Sequence, residues 1–473
     1  MLLYRYGAHL SREDAAELVA PHPETLELVH IWLSHHGVPP SSISATHGGN
    51  WLTLTDVPVL QANKLLGASY KLYRQAGTDD TPILRTVGYG LPAVLHGHVD
   101  TVAPTTLFAS PRTLRQTPHM RPVGVSQALA KAAPRELVRR LSGRDEPVGV
   151  APDYLRWLYK TYAYVPRAVT RNALGIVGFM DEFPSPRDLG LFMSLFRRDA
   201  QPVTYAVALV NDGRYNRDQP GSEANQNMQY TEAISYPTPH IFYSTGGFLL
   251  MWGAVDGKPV PGDLFLGWAN DVLSQVYIPQ TISMSYGLFE SIVPAEYAHS
   301  VCRLFALIAV RGVSVLVSSG NFGVGEGDCK DSSGRVQFMP RFPASCMCDV
   351  SSSLAMQYTS VGTSRLRHCY GFAGPWLTSV GGTTSAHPEV GAFLSGGGFS
   401  NYFPIPSYQS VAVPDFLRNI RSQYRGLYKF VTCPKPFILS DFVIFEALPA
   451  ADSPTSPRRR STFRWSTIPF SWL

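Results

Sequence analysis

The sequence predicts an α/β protein whose main part is a parallel sheet covered by helices on both faces, preceded by a smaller α+β unit. Three observations lead there. From residue 151 onward, apolar strand-like runs alternate with amphipathic helical runs, the pattern of repeated βα units. Before residue 110, short helical patterns mix with alternating strand patterns. Between them, residues 111–150 shift to proline, arginine and polar residues, with Arg135, Arg139, Arg140 and Arg144 near the end, the composition of an exposed linker.

In chain order, Ser11 and Asp14 form a weak capping box and Pro21 interrupts. Leu26, Val29, Trp32 and Leu33 then recur at helical spacing until Gly37. Trp51, Leu52 and Leu54 mark a strand, and Pro58 opens a second helix carrying Leu60, Leu65 and Leu66. The linker is a place where a processing protease could reach the backbone, since exposed loops open locally at little cost. In the main part, strands are expected at 174–180, 205–210, 240–244, 281–286, 313–318 and 377–380. Helices are expected at 187–198, 223–235, 264–274 and 295–310. Functional residues in such a sheet collect at the carboxyl ends of strands, and Ser319 to Gly323 falls at one of them.

Composition narrows the function classes. At 473 residues the chain has room for two or three domains, and 45% hydrophobic content is ample for large cores. The formal charge of +5 is dispersed, and no apolar run approaches the ~20 residues of a membrane helix, so neither a membrane nor a nucleic acid is indicated as a partner. Arg458 to Arg460 stand in a Pro/Ser-rich terminal stretch, the setting of a solvated tail. Met1 to Gly7 lack the basic segment, longer apolar run and cleavage site of a secretory signal, so the sequence as written carries no signal peptide. Six cysteines are too few for a disulfide scaffold; Cys329 and Cys346, flanking a short loop, could pair in an oxidising compartment, whereas Cys348 and Cys369 are expected to be free thiols. His35, His36, His96 and His98 lack a third partner at ligand spacing and are expected in packing or surface roles.

Several segments carry a family resemblance: YGAHLSREDAAELVAPHPETLELVHIWL and AVLHGHVDTVAPTT near the start, then PDYLRWLYKTY, GSEANQNMQY, PHIFYSTGG, PQTISMSYG, SSGNFGVGEGDC, SVGGTT and SGGGFSNYFPIPSYQ. Together, from about Tyr4 to Tyr428, they resemble the sedolisins, the secreted serine-carboxyl peptidases, and within them the fungal tripeptidyl-peptidases related to kumamolisin. The resemblance implies a ferredoxin-like prodomain at 1–110, lacking its first strand and signal peptide, a processing region at 111–150, and a subtilisin-like peptidase domain at 151–428. Residues 347–374, between FPASC and PWLTSVGGTT, resemble neither flank and are expected to be an insertion such as a retained intron leaves; a transcript spanning both junctions and encoding them would refute that. The tail 429–473 matches nothing in the family pattern.

The resemblance also implies a chemistry: a serine nucleophile, a glutamate general base, an aspartate orienting it, and an aspartic acid at the oxyanion. The base and orienter lie in E-x-x-x-D, which here is Glu223-Ala-Asn-Gln-Asn227. Positions four apart share a helix face, and two carboxyls there would share a proton and raise the base's pKa. Asn227 removes the second carboxyl. In serine proteases an Asp-to-Asn change at an analogous orienting position costs ~10⁴ in turnover. Asn321 replaces the oxyanion aspartic acid, a milder change, because an amide NH2 donates at every pH. Phe322 replaces a small serine and is expected to crowd the cleft.

The nucleophile of the family lies in a G-T-S-x-S turn after SGGGFSNYF, and no such turn follows here. Gly362-Thr363-Ser364 precedes SVGGTT and is followed by Arg365-Leu366-Arg367. The calcium that the resemblance implies as cofactor lacks its aspartate-rich loop. The function expected is thus a tripeptidyl-peptidase homologue, made as a zymogen, secreted, with peptide or protein substrates presenting free N-termini at acid pH, but inactive for want of the serine. The alternatives are a non-catalytic peptide-binding or inhibitory protein, and a defective gene product.

Overall fold

The computed structural model describes residues 7–75, 83–109, 150–247, 263–325, 336–346, 376–384, 389–420, 422–424, 426–427, 445–448, 464–465 and 468–472. The linker, the segment 347–374 and Cys329 lie outside them.

The N-terminal unit begins with α1 (Arg12–Leu18), capped as expected: Ser11 Oγ accepts from the Asp14 amide at 3.0 Å, and Asp14 accepts from the Ser11 amide at 3.3 Å. Helix α2 (Pro23–His35) buries Val29, Trp32 and Leu33, the face its spacing predicts. Strands β1 (Ile43–Ala45), β2 (Trp51–Leu54) and β3 (Val57–Pro58) lead into α3 (Val59–Leu65), which buries Ala62 and Leu65. Leu60, which the same helix carries, is 76% exposed. It is two residues from Ala62, and positions two apart on a helix do not share a face. Strands β4 (Lys71–Gln75), β5 (Ile83–Arg85) and β6 (Val99–Val102) complete the unit.

The tail does not stand apart. Strand order in the N-terminal sheet is β1, β2, residues 468–472, β6, with all pairings antiparallel. In a β-α-β-β-α-β unit the slot between these two strands belongs to the first strand. Here Ile468–Trp472 occupies it, while Phe445–Leu448 pairs with β4 and Arg464–Trp465 with β3. Removing residues 468–473 is therefore expected to strip amide-exchange protection from both β2 and β6; unchanged protection would contradict the pairing.

The main part opens on α4 (Pro152–Leu158) and centres on a six-stranded, all-parallel sheet of order β14 (Thr378–Val380), β12 (Ser314–Ser318), β10 (Thr281–Met284), β7 (Leu174–Gly178), β9 (His240–Thr245), β8 (Tyr205–Val210), beside a short antiparallel pair, β11 (Leu288–Phe289) and β13 (Arg341–Phe342). Neighbouring residues on one strand serve opposite layers, as the two-residue period requires. Ile176 and Phe242 pack with Leu189 and Met193 of α5 (Pro186–Phe196) and Met228 of α6 (Ser222–Ser235). Val177 and Tyr243 face Trp268 of α7 (Leu264–Ser274) and Phe305 of α8 (Ala295–Val310). Helices on both faces are what a fully buried parallel strand needs, and this is the subtilisin-like α/β layering that the resemblance implies. Edge strand β14 is the exception, with Thr378, Ser379 and Val380 all exposed. Two strands, β7 and β10, end earlier than their expected runs: β7 stops at Gly178 because Met180 and Asp181 turn into the left-handed region, with φ of 66° and 52°.

The two parts share a core. Trp51, Ala103, Leu107 and Ala109 belong to the same cluster as Trp268 and Phe305. Polar ties reinforce it: Leu10 N donates to Val310 O at 2.9 Å, Arg12 Nη1 to Ser274 O at 3.1 Å, and Arg303 pairs with Asp100. Cys346 is bonded to Cys302 of α8, which corrects the expected Cys329–Cys346 pairing. The 44 residues separating the true partners hid a contact that only the packing of α8 creates.

Candidate active site

Three strand ends and one helix N-terminus build the site. Helix α6 begins after Gly221, and a Cβ at Gly221 would lie 2.5 Å from Glu182, so only glycine lets the helix start this close to that carboxylate. The left-handed Met180–Asp181 turn brings Glu182 back beneath the helix, where its Oε2 accepts from the Glu223 amide at 3.1 Å. A carboxylate at a helix N-terminus satisfies an orphan donor and suits the macrodipole.

Glu223 and Asn227 lie one turn apart on α6, as the spacing predicts, and Asn227 Nδ2 donates to Glu223 Oε1 at 3.2 Å. Ser285, one residue past the carboxyl end of β10, donates its hydroxyl to Asn227 Oδ1 at 3.3 Å. Burial is the main force on Glu223 and pushes its pKa from 4.5 up to about 7; the nearby Glu182 charge adds to the rise, while hydrogen bonds from Asn227 and Ser285 oppose it. The carboxyl is thus held near neutrality without the second carboxyl of the expected dyad. Sequence reasoning missed Glu182 and Ser285. Their position just past strand ends β7 and β10 was the only signal that could have found them.

Asn321 lies beyond β12, the strand paired in parallel with β10, so its loop and Ser285 occupy the same edge of the sheet. That loop is sutured to the SGGGFS segment: Gly396 N donates to Gly320 O at 2.7 Å, Gly323 N to Leu394 O at 2.7 Å, and Ser319 Oγ to Gly396 O at 2.9 Å. Gly320 has φ of 103°, and a Cβ there would meet the Arg341 side chain at 2.9 Å. Phe322 is held by that same arginine. Its guanidinium sits 3.6 Å from the Phe289 ring centroid and 4.9 Å from that of Phe322.

A cleft of about 360 Å³ opens beside Ser319, lined among others by Arg341, Ser345, Ser400, Phe403 and Tyr408. Neither Glu223 nor Asn227 lines it. The arrangement supplies a carboxyl able to accept a proton near neutral pH and a loop bearing an amide donor.

Three of the four histidines make local hydrogen bonds: His98 Nδ1 lies 2.8 Å from Thr25 Oγ1, His36 Nδ1 2.9 Å from Trp32 O, and His96 Nε2 3.0 Å from Leu91 O. Among the described residues, no group of three or more His, Cys, Asp or Glu could hold a metal, so the implied calcium has no fitting donor set there. No described helix is long and apolar enough to cross a membrane.

Residues 4–108 match the pro-kumamolisin activation domain. Over 434 residues, 90% of this chain, the sequence is 31% identical to tripeptidyl-peptidase SED2 of Arthroderma otae, and covers 66% of it. Over 441 residues it is 30% identical to a protein named probable tripeptidyl-peptidase SED2 in Trichophyton verrucosum, again covering 66% of that protein. Among solved structures, Pseudomonas sedolisin, a serine-carboxyl proteinase complexed with two molecules of pseudo-iodotyrostatin, matches at 19% identity and a TM-score of 0.36, over 56% of this chain and 66% of that one. The chain thus spans just under two thirds of the length of these curated relatives.

Proposed function

Because the chain belongs to the sedolisin family of serine-carboxyl peptidases, we propose that it is a tripeptidyl-peptidase homologue, a secreted zymogen whose peptide ligands present free N-termini at acid pH, and that this sequence turns over none of them. Glu223 takes the general-base position, Asn227 the orienting position and Asn321 the oxyanion position. The observation that carries the proposal is the contact set of Glu223. Its side chain meets an amide and the hydroxyl of Ser285, a residue of the SMSYG motif, and the sequence contains no G-T-S-x-S turn to supply a nucleophile.

A base without a nucleophile cannot form an acyl-enzyme, and binding or oxyanion contacts alone do not replace that step. Asn227 compounds the loss, since it has no charge with which to stabilise a proton on the base. The prodomain match supports the zymogen assignment, and the relatives' names support the substrate class.

The test uses the full chain, secreted with an added signal peptide and acidified. Release of chromophore from a tripeptide substrate is expected to stay at background, and Asn227→Asp is expected to leave it there. Turnover abolished by Glu223→Ala would overturn the proposal. Soluble, monodisperse protein that binds peptide without cleaving it would assign the chain a peptide-capturing role.

A further inference from the structure

We propose that Ser285 is a positioning residue for the general base: its hydroxyl anchors the Asn227 amide whose NH2 end faces Glu223. The inference rests on Glu223 holding the base position, and extends it to a residue outside the family's expected constellation.

The geometry makes the case. A terminal amide has a donor end and an acceptor end and turns about a two-fold torsion, so either end can face a neighbour. Glu223 Oε1 receives the NH2 end at 3.2 Å, which favours the ionised carboxylate. The reverse orientation would set Asn227 Oδ1 against a carboxylate oxygen, acceptor against acceptor. The ionised carboxylate settles that choice, and the Ser285 hydroxyl, which can accept as well as donate, anchors the amide by donating to Oδ1 at 3.3 Å. Thr231 Oγ1, the other hydroxyl nearby, donates to the backbone oxygen of Asn227 at 2.7 Å and so leaves the amide to Ser285. Two elements are thereby locked together, the carboxyl end of β10 and the second turn of α6. Glu182, at the amide of Glu223, is the charged group on the remaining side.

A hydroxyl carries a single proton, and Ser285 has two acceptors within reach, Asn227 Oδ1 and the Glu223 carboxylate. With Glu223 protonated, the hydroxyl holds the amide in place. With Glu223 ionised, the amide's NH2 end faces the carboxylate and Ser285 remains its anchor at Oδ1. Both states hold the base ready at one position, which an aspartate at residue 227 would do by charge and an asparagine must do by orientation.

The test reads Glu223 directly by carbon NMR titration of the folded full chain, with the signal assigned by Glu223→Gln. Ser285→Ala is expected to raise the Glu223 pKa by about one unit, and Ser285→Thr to restore it. In an Asn227→Leu background, Ser285→Ala is expected to shift the pKa by much less. An unshifted pKa in Ser285→Ala, or an equal shift whether residue 227 is Asn or Leu, would overturn the proposal. Should Ser285→Ala fail to fold, Ser285→Cys keeps the shape with a weaker donor and is expected to give a smaller shift of the same sign. Since titration needs no turnover, an active enzyme would defeat the functional proposal and leave this one standing, and the reverse holds equally.

Discussion

Raising the pH from about 4 to about 8 is expected to cost the folded chain roughly 3 kcal/mol through Glu223 alone, and Glu223→Gln is expected to erase that part of the loss. Burial raises this carboxyl from 4.5 to about 7 in the folded state. Between those values the native protein binds a proton that the unfolded chain has released, so stability is full below 4.5 and declines as the pH rises through 7. Asp263, Asp100, Asp271 and Glu290 are also raised by burial and tilt stability the same way. The Glu223 share is therefore read as the difference between the parent chain and Glu223→Gln in denaturant titrations across the range. Parallel curves for the two proteins would show that Glu223 is not held protonated near neutrality.

Arg85→Met is expected to destabilise the chain by roughly 3–5 kcal/mol near neutral pH. Arg85 is fully buried, donates from Nε to Leu107 O at 2.6 Å and from Nη1 to Leu84 O at 2.8 Å, and lies in the field of Asp263 and Tyr297 of the peptidase part. Burial pulls its pKa down to about 10, which leaves it charged at any pH the protein meets. Asp263 is equally buried; its Oδ1 caps α7 by accepting from Leu266 N at 3.0 Å and also accepts from Tyr297. Removing the cation strands a carboxylate in the core, and removing both charges does not. Arg85→Met/Asp263→Asn is therefore expected to recover part of the loss, and the single variant is expected to be mildest in acid, where Asp263 is neutral. A loss independent of residue 263 would show that Arg85 acts through its carbonyl contacts alone.

Much of this architecture was legible in the residues. The strand at 174–178 has Ile176 and Val177 facing opposite layers, and a period of two predicts such a pattern once both neighbours are apolar. Glu223 and Asn227 face one another because four residues make one helical turn. What stayed hidden joins distant parts of the chain. Cys302 and Cys346 meet only because α8 packs beside the FPASC segment. Glu182 and Ser285 reach the base from two different strands, and Phe322, expected to crowd the cleft, is held beneath Arg341. The pairing of Ile468–Trp472 with β2 and β6 was hidden for the same reason: an alternating segment declares a strand but not its partner.

Whether Glu223 serves a nucleophilic serine can be read directly. A fluorophosphonate probe applied to the folded, acidified chain, followed by peptide mass spectrometry, addresses it without presuming a substrate. No serine is expected to be labelled above the level found in Glu223→Ala, Ser285 included. One serine labelled stoichiometrically in the parent chain, and unlabelled in Glu223→Ala, would overturn the proposed function.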